Sequence, residues 1–280
     1  MNAFIVFTPK INCGKVDAGH LDACGVPPQK VQLSAQTRRS LVRRDHKPYA
    51  LKRLLGQFER FWISHFIAPQ LEALGHGSMI MKPWHLKLHG EHISFGNAVH
   101  VITAKDRTVR LTTWSHDAAG GQIDIGDYVL ICPGVRIDSA THINVGSNTM
   151  LAAGVYLTDA DWHDIYNRTR PIGRSAPIVL EDNVWVGDGS IICKGVHVGA
   201  NTIIGAGSVV TKSLPANVIA AGNPAVVVRH LDDAATITRR QDLLSDPKLD
   251  REIDLLEQML RKDNTWRKWL RVCLRPNRRD

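Results

Sequence analysis

Between Leu180 and Leu214 an aliphatic residue stands at every sixth position: Leu180, Val186, Ile192, Val198, Ile204 and Val210. Four places after each comes another apolar or small residue: Val184, Ser190, Val196, Thr202, Ser208 and Leu214. Gly directly follows three of the aliphatics, at Gly187, Gly199 and Gly205. A period of six fits neither a helix, at about 3.6, nor a lone strand, at about 2. It fits a chain that runs straight for a few residues, turns a corner and repeats. The aliphatic points into a prism, the small residue packs beside it, and Gly relaxes the corner. This is the hexapeptide pattern of a β-helix. Six strands of an ordinary sheet would not set turn formers at one fixed offset with no helix between them.

The 280 residues, 44% of them hydrophobic, suffice for a sizeable core and one or two domains. No run of eighteen apolar residues occurs, so no spanning helix is expected. Met1 to Lys10 lacks the basic-then-apolar pattern of a secretory leader. Cys13, Cys24, Cys132, Cys193 and Cys273 are scattered without CxxC spacing, which reads as reduced thiols in a cytoplasmic protein. Cys13, His20 and Cys24 have no obvious fourth partner, so no metal is expected. The net charge of +8 gathers at the ends. Seven Lys/Arg face one acid between Arg38 and Arg53, and eight face two between Arg261 and Asp280. Such ends serve either solubility or an anionic partner, a membrane surface or an acidic polymer. No nucleic acid partner is expected.

Three segments follow from the patterning. Residues 1–78 hold an irregular arm (1–34) and a helical stretch. There Leu51, Leu54, Leu55, Phe58, Phe61, Trp62, His65 and Phe66 follow i, i+3, i+4, i+7 spacing up to Pro69. That apolar face is expected to cap the open end of the prism, the alternatives being its flank or a membrane. Residues 79–230 form the repeat domain. His92–Trp114 reads as irregular, hexads are clear at Ile125, Ile131 and Ile137, and they resume two residues out of step at Val145 and Leu151. The shift predicts a small loop or bulge within Asp138–Asn144. Thr158–Pro177 has no hexad and reads as an excursion loop, after which regularity lasts to about Val228. Residues 231–280 are a basic helical extension with two stripes, Leu249/Ile253/Leu256/Leu260 and Trp266/Trp269/Leu270/Cys273. The second stripe, with Arg and Lys between, suits either packing or a membrane interface.

A filled prism has flat faces, so chemistry belongs on departures from regularity. The excursion carries Asp161-Trp162-His163-Asp164. Imidazole titrates near neutrality, which makes His163 the candidate general base, with Asp161 or Asp164 to orient its ring.

Three stretches resemble hexapeptide-repeat acetyltransferases: Glu181-Asp182-Asn183-Val184-Trp185-Val186-Gly187, Ile204 to Lys212, and Ala221-Gly222-Asn223-Pro224-Ala225. Together they are similar to the galactoside, maltose and colanic-acid acetyltransferase group, over about Gln122 to Leu231. The resemblance implies a mostly β fold, a left-handed parallel β-helix, which the helical extensions at both ends of this chain exceed. It implies a homotrimer with active sites at the subunit interfaces and acyl transfer from acetyl-CoA, without a metal. By position, His163 matches the family's catalytic base and Trp185 a residue lining its cleft. Asp188, Gly205, Ala206, Thr211, Lys212 and Arg229 fall where the family holds coenzyme A.

The departures narrow the acceptor. Val226 stands where relatives often carry Arg or Lys, and no Asn lies near Cys132-Pro133-Gly134, where galactoside enzymes place one on the sugar. The resemblance therefore implies an O-acetyltransferase acting on a sugar, polysaccharide or lipopolysaccharide precursor rather than on a simple galactoside or maltose. It would work in the cytoplasm or at the inner face of the membrane, touching it through the basic helices. The competing readings are an N-acyltransferase on an amino sugar, a trimeric zinc carbonic anhydrase using His142, His163 and His197, and a non-catalytic β-helix module.

Overall fold

The computed structural model describes residues 45–114 and 120–277. Cys13, His20, Cys24, the arm 1–34 and the cluster Arg38–Arg44 lie outside the described residues. The chain divides into two compact units, Lys52–Glu257 and Met1–Leu51 with Gln258–Asp280.

In the larger unit the chain visits three parallel sheets in strict rotation. Among the described residues the first sheet has six strands: Ala73–Leu74, Ile93–Phe95, Gln122–Ile125, His142–Val145, Ile178–Leu180 and His197–Val198. The second begins with Met79–Met81, His100–Ile102, Leu130–Ile131, Met150–Leu151, Trp185–Val186 and Ile203–Ile204. It ends in the antiparallel pair Val218–Gly222 and Ala225–His230. The third contains Leu86–His89, Val109–Thr113, Arg136–Ser139, Tyr156–Thr158, Ile191–Ile192 and Val209–Val210. From Ala73–Leu74 to Ile191–Ile192 each strand pairs with the one three places on, which makes a parallel β-helix. All six aliphatics of the Leu180–Val210 frame point inward and are no more than 1% exposed. Each contributes about 1.5–3 kcal/mol by leaving water.

Register explains the sequence pattern. Asn183 and Asn201, bonded through their side chains, lie 18 positions apart, one coil of three hexads. One coil earlier, Ser147 and Asp182 are 35 apart, because the excursion lies between them. The shift after Ile137 is a two-residue turn, Ala140-Thr141, between Arg136–Ser139 and His142–Val145. Two expectations are corrected. His92–Trp114 is not irregular: it supplies Ile93–Phe95, His100–Ile102 and Val109–Thr113, one strand to each sheet. The corner 103–108 and the one after Thr113 are longer, which puts Asp127, the partner of Asn97, 30 positions on, so the period of six is lost. Parallel regularity also ends before Val228, where Ala225–His230 folds back antiparallel.

The expected cap is corrected: the helix Tyr49–Trp62 buries no residue, and the core is covered instead by the residues at its end and just after it. Ile67 and Leu71 are 4% and 8% exposed within the core, and Trp62 and Ile63 pack against it. Leu54, Leu55, Phe58 and Phe61, earlier on the helix Tyr49–Trp62, remain exposed. The corner from first to second sheet runs in the left-handed region, at Asn148, Asn183, Asn201 and Asn217 with φ of 64°, 60°, 59° and 57°. Asn tolerates this conformation better than other residues with a Cβ. Its amides also stack, with Asn183 Nδ2 donating to Asn201 Oδ1 at 3.0 Å and Asn201 Nδ2 to Asn217 Oδ1 at 2.8 Å.

In the smaller unit the buried Arg261 guanidinium reaches Asp45 Oδ2 at 3.0 Å. Burial alone would raise the Asp45 carboxyl, but the Lys47 N–H and Arg261 outweigh it and hold the group below its ordinary value. Asn264 Nδ2 donates to the carbonyls of Asp45 and Lys47. The helix Trp266–Leu274 follows, capped by Thr265, whose hydroxyl accepts from the Lys268 N–H. Among the described residues no helix is long and apolar enough to cross a membrane.

Candidate active site

The excursion leaves the third sheet at Thr158 and enters the first at Ile178, so it stands on the corner between them. It is tied down at its root. Asp159, fully buried, accepts from the Ser139 hydroxyl at 2.7 Å, the Ala140 N–H at 2.7 Å, the Thr141 N–H at 2.9 Å and the Thr141 hydroxyl at 3.0 Å. The two-residue insertion after Ser139 is thus the socket that receives the loop. Above it Ala160 bridges Ser175, the Asp161 N–H donates to Arg174 O at 2.8 Å, and the Gly173 N–H to Asp161 O at 2.7 Å. Ala140, Ala160 and Ile172 form a small core of their own, with Trp162 packed on it.

His163 is exposed on this ribbon, across from Gly173 and below the turn in which the Arg170 N–H donates to Asn167 O. Neither neighbouring carboxylate is directed to its ring. Asp161 Oδ1 accepts from Lys194 Nζ at 2.6 Å. Asp164 Oδ1 accepts from the N–H groups of Tyr166 and Asn167 at 2.9 and 2.8 Å. These two bonds, Asn167 first, hold the Asp164 carboxyl below its usual range. Lys194 comes from the same corner one coil on, beside Cys193, whose thiol burial pushes up. Thr211 and Lys212, both exposed, occupy that corner a further coil on.

The other candidates lie elsewhere on the prism. Asp188, Gly205 and Ala206 belong to the corner between second and third sheets. Glycine there repeats in the left-handed region at Gly134, Gly154, Gly189 and Gly207, with φ of 82°, 72°, 65° and 70°. An N–H to O bond steps from coil to coil: Gly154 to Pro133, Gly189 to Ala153, Gly207 to Asp188. An open groove of about 540 Å³ follows this edge, lined by Arg107, Gly134, Gly154, Asp188 and Gly189 among others. A Cβ at Gly189 or Gly207 would meet nothing within 4 Å, so the backbone there lies open to a ligand. Trp185, 45% exposed, lies on the outer face of the second sheet. Arg229 lies on the antiparallel strand beyond, opposite Ile219. One prism therefore brings His163, Asp161, Asp164, Thr211 and Lys212 to one edge, and Asp188, Gly205 and Ala206 to another.

Sequence reasoning passed over Asp159, Gly173 and Lys194. An acidic residue opening a non-repeating stretch and a lone Gly near its close were the available signals. Of the histidines weighed for zinc, His142 pairs with Asp124 at 2.8 Å and His197 with Glu181 at 2.7 Å. The Ala200 N–H, then His197, holds the Glu181 carboxyl below its ordinary value. Among the described residues no group of three His, Cys, Asp or Glu side chains is placed to hold a metal ion.

Comparison with known proteins gives the following. Residues 177–212 match the family model described as bacterial transferase hexapeptide (six repeats). The chain is 31% identical over 164 residues to a galactoside O-acetyltransferase of Lactococcus lactis, covering 58% of this chain and 64% of that one. It is 34% identical over 108 residues to the putative colanic acid biosynthesis acetyltransferase WcaF of Escherichia coli, covering 39% and 58%. The chain thus spans less than two thirds of the length of these relatives. Among solved structures, a variant of AntD, an N-acyltransferase from Bacillus cereus in complex with dTDP-4-amino-4,6-dideoxyglucose and Coenzyme A, superposes with a TM-score of 0.51 at 17% identity. It covers 71% of this chain and 96% of that one. The repeat and this superposition make the fold a left-handed parallel β-helix.

Proposed function

We propose that this chain, a hexapeptide-repeat protein of the bacterial transferase kind, is an acetyl-CoA-dependent O-acetyltransferase acting on a sugar hydroxyl of a glycan or lipopolysaccharide precursor. The observation that carries the reading is His163, exposed on a tied-down excursion that runs into the stretch 177–212 matching the transferase repeat. The acetyltransferase names of the relatives support the reaction class. His163 takes the proton from the acceptor hydroxyl as that oxygen attacks the thioester carbonyl, and returns it to the departing thiolate. A thioester needs no covalent nucleophile on the enzyme, so positioning and one base suffice.

The remaining residues take roles that suit their places. The open backbone at Gly189 and Gly207, beside Asp188, Gly205 and Ala206, admits the amide-rich arm of coenzyme A. Thr211, Lys212 and Arg229 meet its phosphates. Trp185 shapes the cleft. Asp161 and Asp164 hold the loop that presents His163, the first through Lys194. His163 and Trp185 lie on different parts of one prism, so a complete site takes an edge from each of two copies. A closed homotrimer supplies three such sites. The helix Trp266–Leu274 exposes Trp266, Leu270 and Leu274 among Arg267, Lys268 and Arg271, which suits peripheral contact at the inner face of a membrane.

The test is release of free thiol from acetyl-CoA across sugars, amino sugars and oligosaccharides, for wild type and His163→Ala. Acceptor-dependent release that falls by about 10²-fold or more in the variant is expected. Equal release by the variant, or no retention of the wild type on a coenzyme A resin, overturns the reading. An amino sugar as best acceptor makes the chain an N-acyltransferase.

A further inference from the structure

We propose that the outer face of the third sheet and the corner beside His163 form a track for an extended acidic glycan. The proposal rests on the acetyl-transfer reading for the track's role, as the seat of the acceptor chain. Its binding test does not need turnover.

The charges come first. Lys87 pairs in register with Arg110, and Arg110 with Arg136, in three neighbouring parallel strands. All three side chains are on the outer face and exposed. Like charges directly opposite one another across strands are destabilising. Arg136 is compensated, by an ion pair with Asp138 and by the Tyr156 ring, 4.6 Å from its guanidinium carbon. Lys87 and Arg110 make no ion pair among the described residues. Two adjacent uncompensated cations cost stability in the free protein and are relieved by an anion. The column spans two strand spacings, about 10 Å, longer than one sugar ring.

The aromatic rings come second. His89 stands two positions after Lys87 in its strand, hence on the same face. From it a row of rings runs toward the excursion: His89 to Trp114 at 5.3 Å, and Trp114 to Trp162 at 6.1 Å. Trp162 is the residue next to His163. Both indoles are held in place. Trp114 Nε1 donates to Thr112 Oγ1 at 3.1 Å, and Trp162 Nε1 to Thr158 Oγ1 at 3.0 Å. The Thr112 hydroxyl in turn donates to the buried Asp138 at 2.6 Å. Trp114 is nonetheless 46% exposed. A fixed, exposed ring offers an apolar face at small entropic cost, which is what the C–H face of a sugar stacks on. Rings in a row beside uncompensated cations select a chain of sugars that carries acid groups.

The experiment uses the full-length protein and two probes, a glucuronate-containing hexasaccharide and neutral maltohexaose, titrated calorimetrically at low and moderate salt. The acidic probe is expected to bind at least about tenfold more tightly, with the margin shrinking as salt rises. Lys87→Gln with Arg110→Gln should bring the two probes together. Trp114→Ala should weaken both about tenfold, and Trp114→Phe should restore most of the loss. Melting temperatures of the variants close to wild type certify their folds. Equal binding of the two probes, no binding of either, or acidic binding untouched by the substitutions overturns the track. Glycan binding without any release of thiol from acetyl-CoA would sustain the track while the acetyl-transfer reading fails.

Discussion

A Cβ placed on Gly173 would stand 2.6 Å from the carbonyl oxygen of His163 and 3.1 Å from Cα of Asp164. The two sides of the excursion are therefore in backbone contact beneath the candidate base, and only glycine permits the approach. Gly173→Ala must push the His163 backbone outward, because a carbonyl cannot swing aside as a flexible side chain would. A displacement of about 1 Å in a catalytic group costs up to about 10²-fold in rate. We expect Gly173→Ala to lose 10- to 100-fold in kcat, by order of magnitude, with a melting temperature near wild type. A variant with full activity would show that the ribbon re-forms around the added methyl.

Asp159 is the anchor of the same loop. Its two oxygens satisfy four donors in a fully buried socket. Asp159→Ala leaves those donors unpaired and should cost about 3–5 kcal/mol. Asp159→Asn keeps the shape but turns one acceptor into a donor, so it should recover only part of the loss. Chemical unfolding with limited proteolysis checks this. Cleavage within 161–173 should appear in Asp159→Ala at denaturant concentrations where wild type is uncut, and equal resistance would show that the hairpin Ala160–Ser175 holds without its socket.

The repeat was legible because three features coincide between Leu180 and Val210: strands of two residues, four-residue corners, and one inward aliphatic per face. Where corners lengthen, as around Thr103–Thr108, the same inward residues Phe95, Val101 and Leu111 remain but their spacing carries no period. His163 and the excursion were visible as a break in a strong pattern. The sharing of the candidate residues among different edges was not, since a linear period does not say which corner a residue turns. Asp159 and Gly173 were unreadable for another reason. Their partners, Ser139–Thr141 and the His163 backbone, are brought to them by the insertion and the loop closure, both long-range events.

Asn201 sits in the middle of the corner ladder at φ 59°, donating to Asn217 and accepting from Asn183. A β-branched side chain is disfavoured at this φ, and Asn201→Val also breaks both amide bonds. The left-handed conformation alone costs about 1–2 kcal/mol, and we expect Asn201→Val to lose at least that. Asn201→Gly relieves the backbone but not the ladder, so it should lose less. Equal losses in the two variants, read from urea unfolding, would mean that the amides rather than the backbone decide the corner.

The helix Trp266–Leu274 exposes Trp266, Leu270 and Leu274, the last of them 79%. If this stripe lies on a membrane surface, the full chain should float with vesicles containing phosphatidylglycerol and not with phosphatidylcholine alone. Leu270→Asp should abolish flotation and Arg271→Gln should weaken it by about 1 kcal/mol. Flotation unaffected by Leu270→Asp would remove this helix from any membrane contact.

His100 gives the fold a pH dependence of known sign. It lies on the second sheet, 9% exposed, with Arg240 Nη2 3.4 Å from its Nδ1. Arg240 is itself fixed by donating through Nε to Tyr128 O at 2.7 Å. Burial first, and Arg240 second, push the imidazole down to about 4 from its ordinary 6.5, against a smaller opposing pull from Asp250. The folded state thus favours the neutral ring, and between these two values the unfolded chain binds more protons. Stability is therefore complete above pH 6.5 and falls as the pH drops toward 4. The loss across the whole window is no more than about 3.5 kcal/mol. The lowered carboxyls of Asp164 and Glu181 also lose stability in acid, but only as pH falls through the carboxylate range. Unfolding free energies at pH 7 and pH 5 separate the two. Wild type should be weaker at pH 5, and His100→Asn should show most of that difference removed. An undiminished difference in His100→Asn would assign the acid sensitivity to other groups.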